Sequence, residues 1–236
     1  MKFRATNLFC CGLALLAVLA LRAQHPNPQP PPPDPNLNPP VPTITYDRTW
    51  EPATPQNVDI RVQATGPANY VSRNLLSPPD QKGADPDYIL KFTMSERNRD
   101  KLFRNAQAAN YFRGDFAFKK HAVASTGKKT LTYGDRDRHF ETAYDYSENN
   151  AIQEITSIFE GISHTIEHGR KLQFLRRFDR LGLEDELKGM ESALESHNLA
   201  ELQIIAPTLE SIANDPAILN IARQRAKRLL AKAGAE

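Results

Sequence analysis

Residues 164–168 read His-Thr-Ile-Glu-His. The spacing H-x-x-E-H sets two imidazoles one helical turn apart, with a carboxylate beside them. Two such nitrogens can take a zinc ion, and the carboxylate can act as general base on a metal-bound water. That chemistry also needs a third ligand and a cleft that shields them. Whether His164, Glu167 and His168 form a metal centre therefore depends on the elements that position them.

Apolar residues recur at helical spacing from about Glu148 to Phe178. At about 100° per residue, Ala151, Ile155, Ile158, Phe159, Ile162, Ile166 and Gly169 fall on one stripe. His164, Glu167 and His168 fall on the opposite side. Beyond Gly169 the apolar residues Phe174, Leu175 and Phe178 shift to the histidine side, which implies a bend there or cover at two heights. A partly buried, hydrogen-bonded His168 follows from that geometry. The run resembles the H-x-x-E-H metallopeptidases, whose substrate chamber is built from repeated domains. This chain of 236 residues has no second half of that kind. A metal-dependent hydrolase using His164, Glu167 and His168 is thus the alternative reading.

Other chemistry-bearing residues are weaker. Ser125-Thr126-Gly127-Lys128-Lys129-Thr130 approaches a phosphate-binding loop, but Ala122 stands where glycine is needed and Lys129 where Ser or Thr is needed. His139, Glu141 and Asp145 share one face of a predicted strand and read as an exposed polar surface. No serine has a nucleophile-elbow context. No residue set marks a catalytic centre or a cofactor site.

The N-terminus has Lys2 and Arg4, then an apolar run of about 14 residues from Leu8 to Leu21. That is short of the ~20 residues a spanning helix needs and fits a secretory signal peptide over residues 1–23. An uncleaved anchor is the rival. The only cysteines, Cys10 and Cys11, lie inside the run. Their removal would exclude disulfides and cysteine metal sites from the mature chain. The precursor carries 30 Lys+Arg against 28 Asp+Glu. Loss of Lys2, Arg4 and Arg22 leaves 27 against 28, a net charge of −1, which gives no reason to expect a nucleic-acid partner. No second long apolar run follows, so no transmembrane span is expected in the mature protein.

Residues 24–42 form a proline-rich spacer with ten of the eighteen prolines. Fully extended as polyproline, it would reach on the order of 55 Å. Residues 43–87, interrupted by Pro52, Pro55, Gly66, Pro67, Pro78, Pro79 and Gly83, predict a loosely ordered segment with one strand at Val58–Ala64 and Trp50 as its candidate anchor to the core. Residues 88–146 predict an antiparallel α+β lobe. It holds a strand at Tyr88–Met94, a helix capped by Ser95, a strand over Asp115–Ala124 bulged near Lys120, and a hairpin turning at Gly134–Asp137.

Residues 147–236 predict about four helices in two hairpins: 148–178, 183–197, 199–213 with a kink at Pro207, and one starting at Asp215-Pro216 and running to about Lys232. The last hairpin resembles one HEAT-type unit over roughly 35 residues, through Pro207, Leu209, Asp215-Pro216, Arg223 and Ala226. No second copy is present, and such repeats need neighbours. The resemblance implies a helical hairpin.

The fold class is therefore α+β: a small antiparallel sheet lobe with one helix, then a C-terminal helical array. Charge is segregated in that array. Arg170, Lys171, Arg176, Arg177 and Arg180 make the end of the first helix basic, Glu184, Asp185, Glu186 and Glu191 make the next acidic, and Arg223, Arg225, Lys227, Arg228 and Lys232 make the last basic. One reading is self-complementarity through salt bridges and helix dipoles. The other is a binding surface centred on Arg223, Lys227 and Arg228. The expected function is an exported, non-enzymatic structural or interaction module, periplasmic or extracellular in a bacterium, whose partner is a protein or an anionic envelope component.

Overall fold

Period-two alternation builds six antiparallel strands: β1 Thr43–Thr49, β2 Asn57–Gln63, β3 Pro67–Arg73, β4 Tyr88–Thr93, β5 Lys128–Gly134 and β6 His139–Tyr144. They form one sheet in the order β4-β3-β2-β1-β5-β6. The computed structural model describes residues 40–74, 87–121 and 124–234. The expected signal peptide and nearly all of the proline-rich spacer lie outside the described residues.

The hairpin of β5 and β6, the strand at Tyr88 and the Ser95 cap follow the sequence expectation. Ser95 Oγ accepts from the Asn98 N–H at 3.4 Å and starts helix α1, Glu96–Ala108. Residues 43–73 depart from it, because they form three strands rather than one. The prolines there bound strands instead of breaking them. Pro52 and Pro55 lie in the β1–β2 connection, and Pro67 takes the first position of β3, where a strand tolerates it. Gly66, at φ +111°, makes the tight turn before it.

The expected strand over Asp115–Ala124 does not form over the described residues up to His121. Asp115 caps the Ala117 N–H at 3.1 Å, and a single bond, from Phe118 N–H to Tyr146 O at 2.9 Å, holds this segment beside the end of β6. The charged run Lys119-Lys120-His121 leaves no apolar face to extend pairing. Ala122 and Val123 lie outside the described residues.

Ile44, Tyr46, Val58, Ile60, Val62, Tyr70, Leu131 and Tyr133 face one side of the sheet and are buried. Cross-strand register sets Tyr46 between Ile60 and Leu131. Helices α1 and α2 (Asn150–Phe178) cover this side, with Tyr46 stacked on Phe159 at 5.0 Å between ring centroids. Trp50 is half-buried at the margin, with its Cβ against Gly127.

Asn149 caps α2 through bonds from the Ala151 and Ile152 N–H groups. The helix runs unbroken through Gly169 and is covered at two heights. Ile152 to Ile166 join the sheet core, while Leu172 and Leu175 join a second core with α3 (Gly182–Glu195), α4 (Ala206–Ala213) and α5 (Asn220–Ala233). Gly169 permits a close approach: a Cβ there would sit 2.3 Å from Ile205 Cγ2.

Two helical boundaries differ from expectation. The predicted helix 199–213 is a 3₁₀ turn, Leu202–Ile205, followed by α4. Pro207 lies in the first turn of α4, where its missing N–H costs nothing, so it starts a helix rather than kinking one. The last helix begins at Asn220, not Pro216. Asp215 instead closes a turn, accepting from the Ala217 N–H at 3.0 Å and the Ile218 N–H at 3.1 Å.

Residues 34–236 form one compact unit, and both cores lie between Ile44 and Ala233. Glu201 ties the N-terminus of α1 to the start of the helical array. It is fully buried, left-handed at φ +60°, and its carboxylate accepts from the Ser95 N–H at 2.7 Å, Ser95 Oγ at 2.6 Å, Asn98 Nδ2 at 2.7 Å and the Gln203 amide.

Candidate functional site

His164, Glu167 and His168 line one open cleft of about 520 Å³, walled by the β1–β2 connection, the end of β3, the middle of α2 and the start of α3. Their side chains are committed to different partners. His164 Nδ1 lies 3.2 Å from Asn198 O. His168 Nδ1 lies 2.6 Å from Glu186 Oε1 on α3. Glu167 turns toward the sheet, where it accepts from Tyr70 OH at 2.7 Å, Ser72 Oγ at 3.1 Å and Arg170 Nη1 at 2.9 Å. The cleft gathers the three residues without converging them on one point. Among the described residues, no group of three His, Cys, Asp or Glu side chains is placed to hold a metal ion.

The electrostatics of the cleft are those of satisfied pairs. Burial alone would raise the Glu186 carboxyl, but hydrogen bonds from His168 and Lys171 outweigh it and hold the group below the ordinary carboxylate range. Burial, then the charge of Glu167, pushes the Tyr70 phenol well above its usual value, so it stays a donor. Arg170 completes the wall with its guanidinium 4.2 Å from the Tyr88 ring centroid.

The remaining sequence candidates fall in separate places. Lys129 sits in β5, not in a phosphate loop. Its ammonium is spent on Thr126 Oγ1 at 2.8 Å, Asp145 O at 3.0 Å, Thr126 O at 3.1 Å and Gly127 O at 3.2 Å, and burial lowers its pKa. His139, Glu141 and Asp145 are exposed. Asp47 and Asp59 stand opposite each other on β1 and β2, where burial and then the Asp47 charge raise the Asp59 carboxyl.

The basic last helix is split between the two readings of its charge. Arg225 is held by Glu184 at 3.0 Å and by Glu191, and Arg228 Nε reaches Glu191 Oε1 at 2.8 Å. These acids belong to α3, so part of the charge pattern is internal complementarity. Among the described residues Lys227 is exposed and makes no ion pair, and Arg223 reaches only Asn220 Oδ1, at 3.3 Å.

Sequence reasoning missed the corner where α2 turns into α3. Phe174, Phe178 and Leu181 are 59 %, 64 % and 74 % exposed there. The two rings lie 4.9 Å apart, and Arg177 stacks on Phe178 at 5.0 Å. Beside them Arg176, Arg177 and Arg180, with Gln173, Thr208 and Ser211, line a second open cleft of about 340 Å³. The signal in the sequence is the drift of Phe174 and Phe178 off the apolar stripe.

No family profile matches the chain, and no curated protein matches it significantly in sequence.

Proposed function

We propose that the protein is an exported, non-enzymatic interaction module of the bacterial envelope or exterior, which holds an anionic partner on its helical lobe. Charge segregation is the observation that carries this reading. From Asn220 to Ala233, α5 bears five cations and no acid. The α3 acids take Arg225 and Arg228, and Lys227 and Lys232 are exposed and make no ion pair among the described residues. Paired surface charges contribute little to stability, whereas a one-signed patch attracts an opposite one over a Debye length. Arg223, Lys227 and Arg228 are the residues assigned to the contact. Export rests on the N-terminal apolar run. Among the described residues no helix is long and apolar enough to cross a membrane.

The experiment is co-sedimentation of residues 34–236, the compact unit, with an isolated envelope fraction. The variant R223E/K227E/R228E should lose binding with an unchanged circular dichroism spectrum. Undiminished binding by a folded variant would remove the reading.

A further inference from the structure

The α2–α3 corner combines two features that need one explanation. Phe174, Phe178 and Leu181 expose large apolar side chains on the last turns of α2 and the connection that follows. Next to them three guanidinium groups, an amide and two hydroxyls line an open cleft with no acid among its walls. Five residues make the hydrogen-bond frame of that cleft. Gln173 donates to Thr208 Oγ1 at 3.1 Å, Ser211 donates to Thr208 O at 2.7 Å, and Arg180 Nε donates to Arg176 O at 3.3 Å.

One of the three guanidinium groups meets an acid. Asp215 lies 4.0 Å from Arg176, and Asp179 caps the Gly182 N–H at 3.3 Å. Arg177 and Arg180 make no ion pair among the described residues. Planar guanidinium forks and hydroxyl donors suit a phosphate group.

We infer that this corner docks on the surface of an anionic phospholipid bilayer. The arginine cleft takes a lipid phosphate, and Phe174, Phe178 and Leu181 enter the boundary between headgroups and acyl chains. The inference rests on the proposed anionic envelope partner and names it. A bilayer fits better than a folded partner because two of the three apolar groups, Phe178 and Leu181, project from a helix corner, while Phe174 lies at the wall of the cleft that holds His168. A fluid interface can close around such a tip, and aromatic groups flanked by cations favour that depth.

Vesicle co-sedimentation of residues 34–236 tests it. Wild type should bind phosphatidylglycerol-rich vesicles and bind phosphatidylcholine vesicles far less. F174S/F178S/L181S and R177E/R180E should each weaken binding on the order of tenfold or more, since each removes several interfacial contacts. Excess inorganic phosphate should leave most of the protein on the vesicles. R223E/K227E/R228E, which removes the other cationic contact to the same partner, should weaken vesicle binding as well.

Equal binding to the two lipids, no vesicle binding, or corner variants that bind like wild type would overturn the inference. Full displacement by inorganic phosphate would reduce the cleft to a small-anion site and overturn it as well. If the envelope fraction is still bound by both corner variants and lost only by the α5 variant, the inference falls while the proposed function stands.

Discussion

Glu201 is the single side chain whose removal should most weaken the join between α1 and the helical array. Its carboxylate is fully buried and is satisfied by four donors from Ser95, Asn98 and Gln203, with no cation among them. It also lies at the N-terminus of α1, where the helix dipole favours negative charge. Each charge-assisted bond contributes roughly 1.5–3 kcal/mol, but they share one acceptor and are not additive. After Glu201→Ala, Ser95 Oγ can still cap the Asn98 N–H, which offsets part of the loss. The Ser95 N–H and the Asn98 amide lose their partner. A net destabilisation of about 3–5 kcal/mol follows, comparable to breaking a buried charge interaction.

Glu201→Gly should be no worse than Glu201→Ala. The left-handed φ of +60° costs an alanine roughly 1 kcal/mol and glycine nothing. The assay is urea unfolding of residues 34–236. With a slope of about 2 kcal/mol/M the alanine midpoint should fall by roughly 2 M. A midpoint within about 0.3 M of wild type would refute the reasoning, because that is the scale of an ordinary surface substitution.

Gly169→Ala should destabilise by roughly 1–2 kcal/mol in the same assay. The gain in helix propensity is about 1 kcal/mol, and overpacking against Ile205 at 2.3 Å exceeds it. A stabilised variant would mean that Ile205 yields without cost. Glu186 should make stability fall with acid. Its folded carboxyl lies below the ordinary value, so its contribution is present above the ordinary carboxylate pKa and disappears as pH drops through the depressed one. Glu186→Gln should therefore flatten the acid limb of the stability–pH profile, and an unchanged limb would assign the loss to other carboxylates.

Much of this architecture is legible from local patterning. The hairpin of Leu131 and Tyr133 with Thr142 and Tyr144, the Ser95 cap and the long amphipathic α2 all announce themselves by period and capping chemistry. Strands β1 and β3 hide because a proline counts against a strand unless its position at a turn or a first strand residue is known. The segment from Asp115 misleads in the opposite way: Phe116 and Phe118 alternate, yet among the described residues the one backbone bond that holds it beside the sheet goes to Tyr146, beyond the end of β6.

At the candidate sites, helical spacing places His164, Glu167 and His168 off the apolar seam. Their actual partners, Asn198, Tyr70 and Glu186, are all remote in sequence and invisible to spacing. Glu201 is hidden for the same reason. The arginine cleft is half visible: Arg176, Arg177 and Arg180 are adjacent in the chain, while Thr208 and Ser211 reach it only through packing of α4.

Segregated cations are proposed to hold this protein on an anionic envelope component. The most direct measurement is the bound fraction of wild-type residues 34–236 on isolated envelope as sodium chloride is raised. The Debye length contracts from about 10 Å at 0.1 M to about 3 Å at 1 M, so binding should be strong at low salt and fall steeply over that range. Absence of binding at low salt, or binding that ignores salt, would rule out cation-mediated attachment.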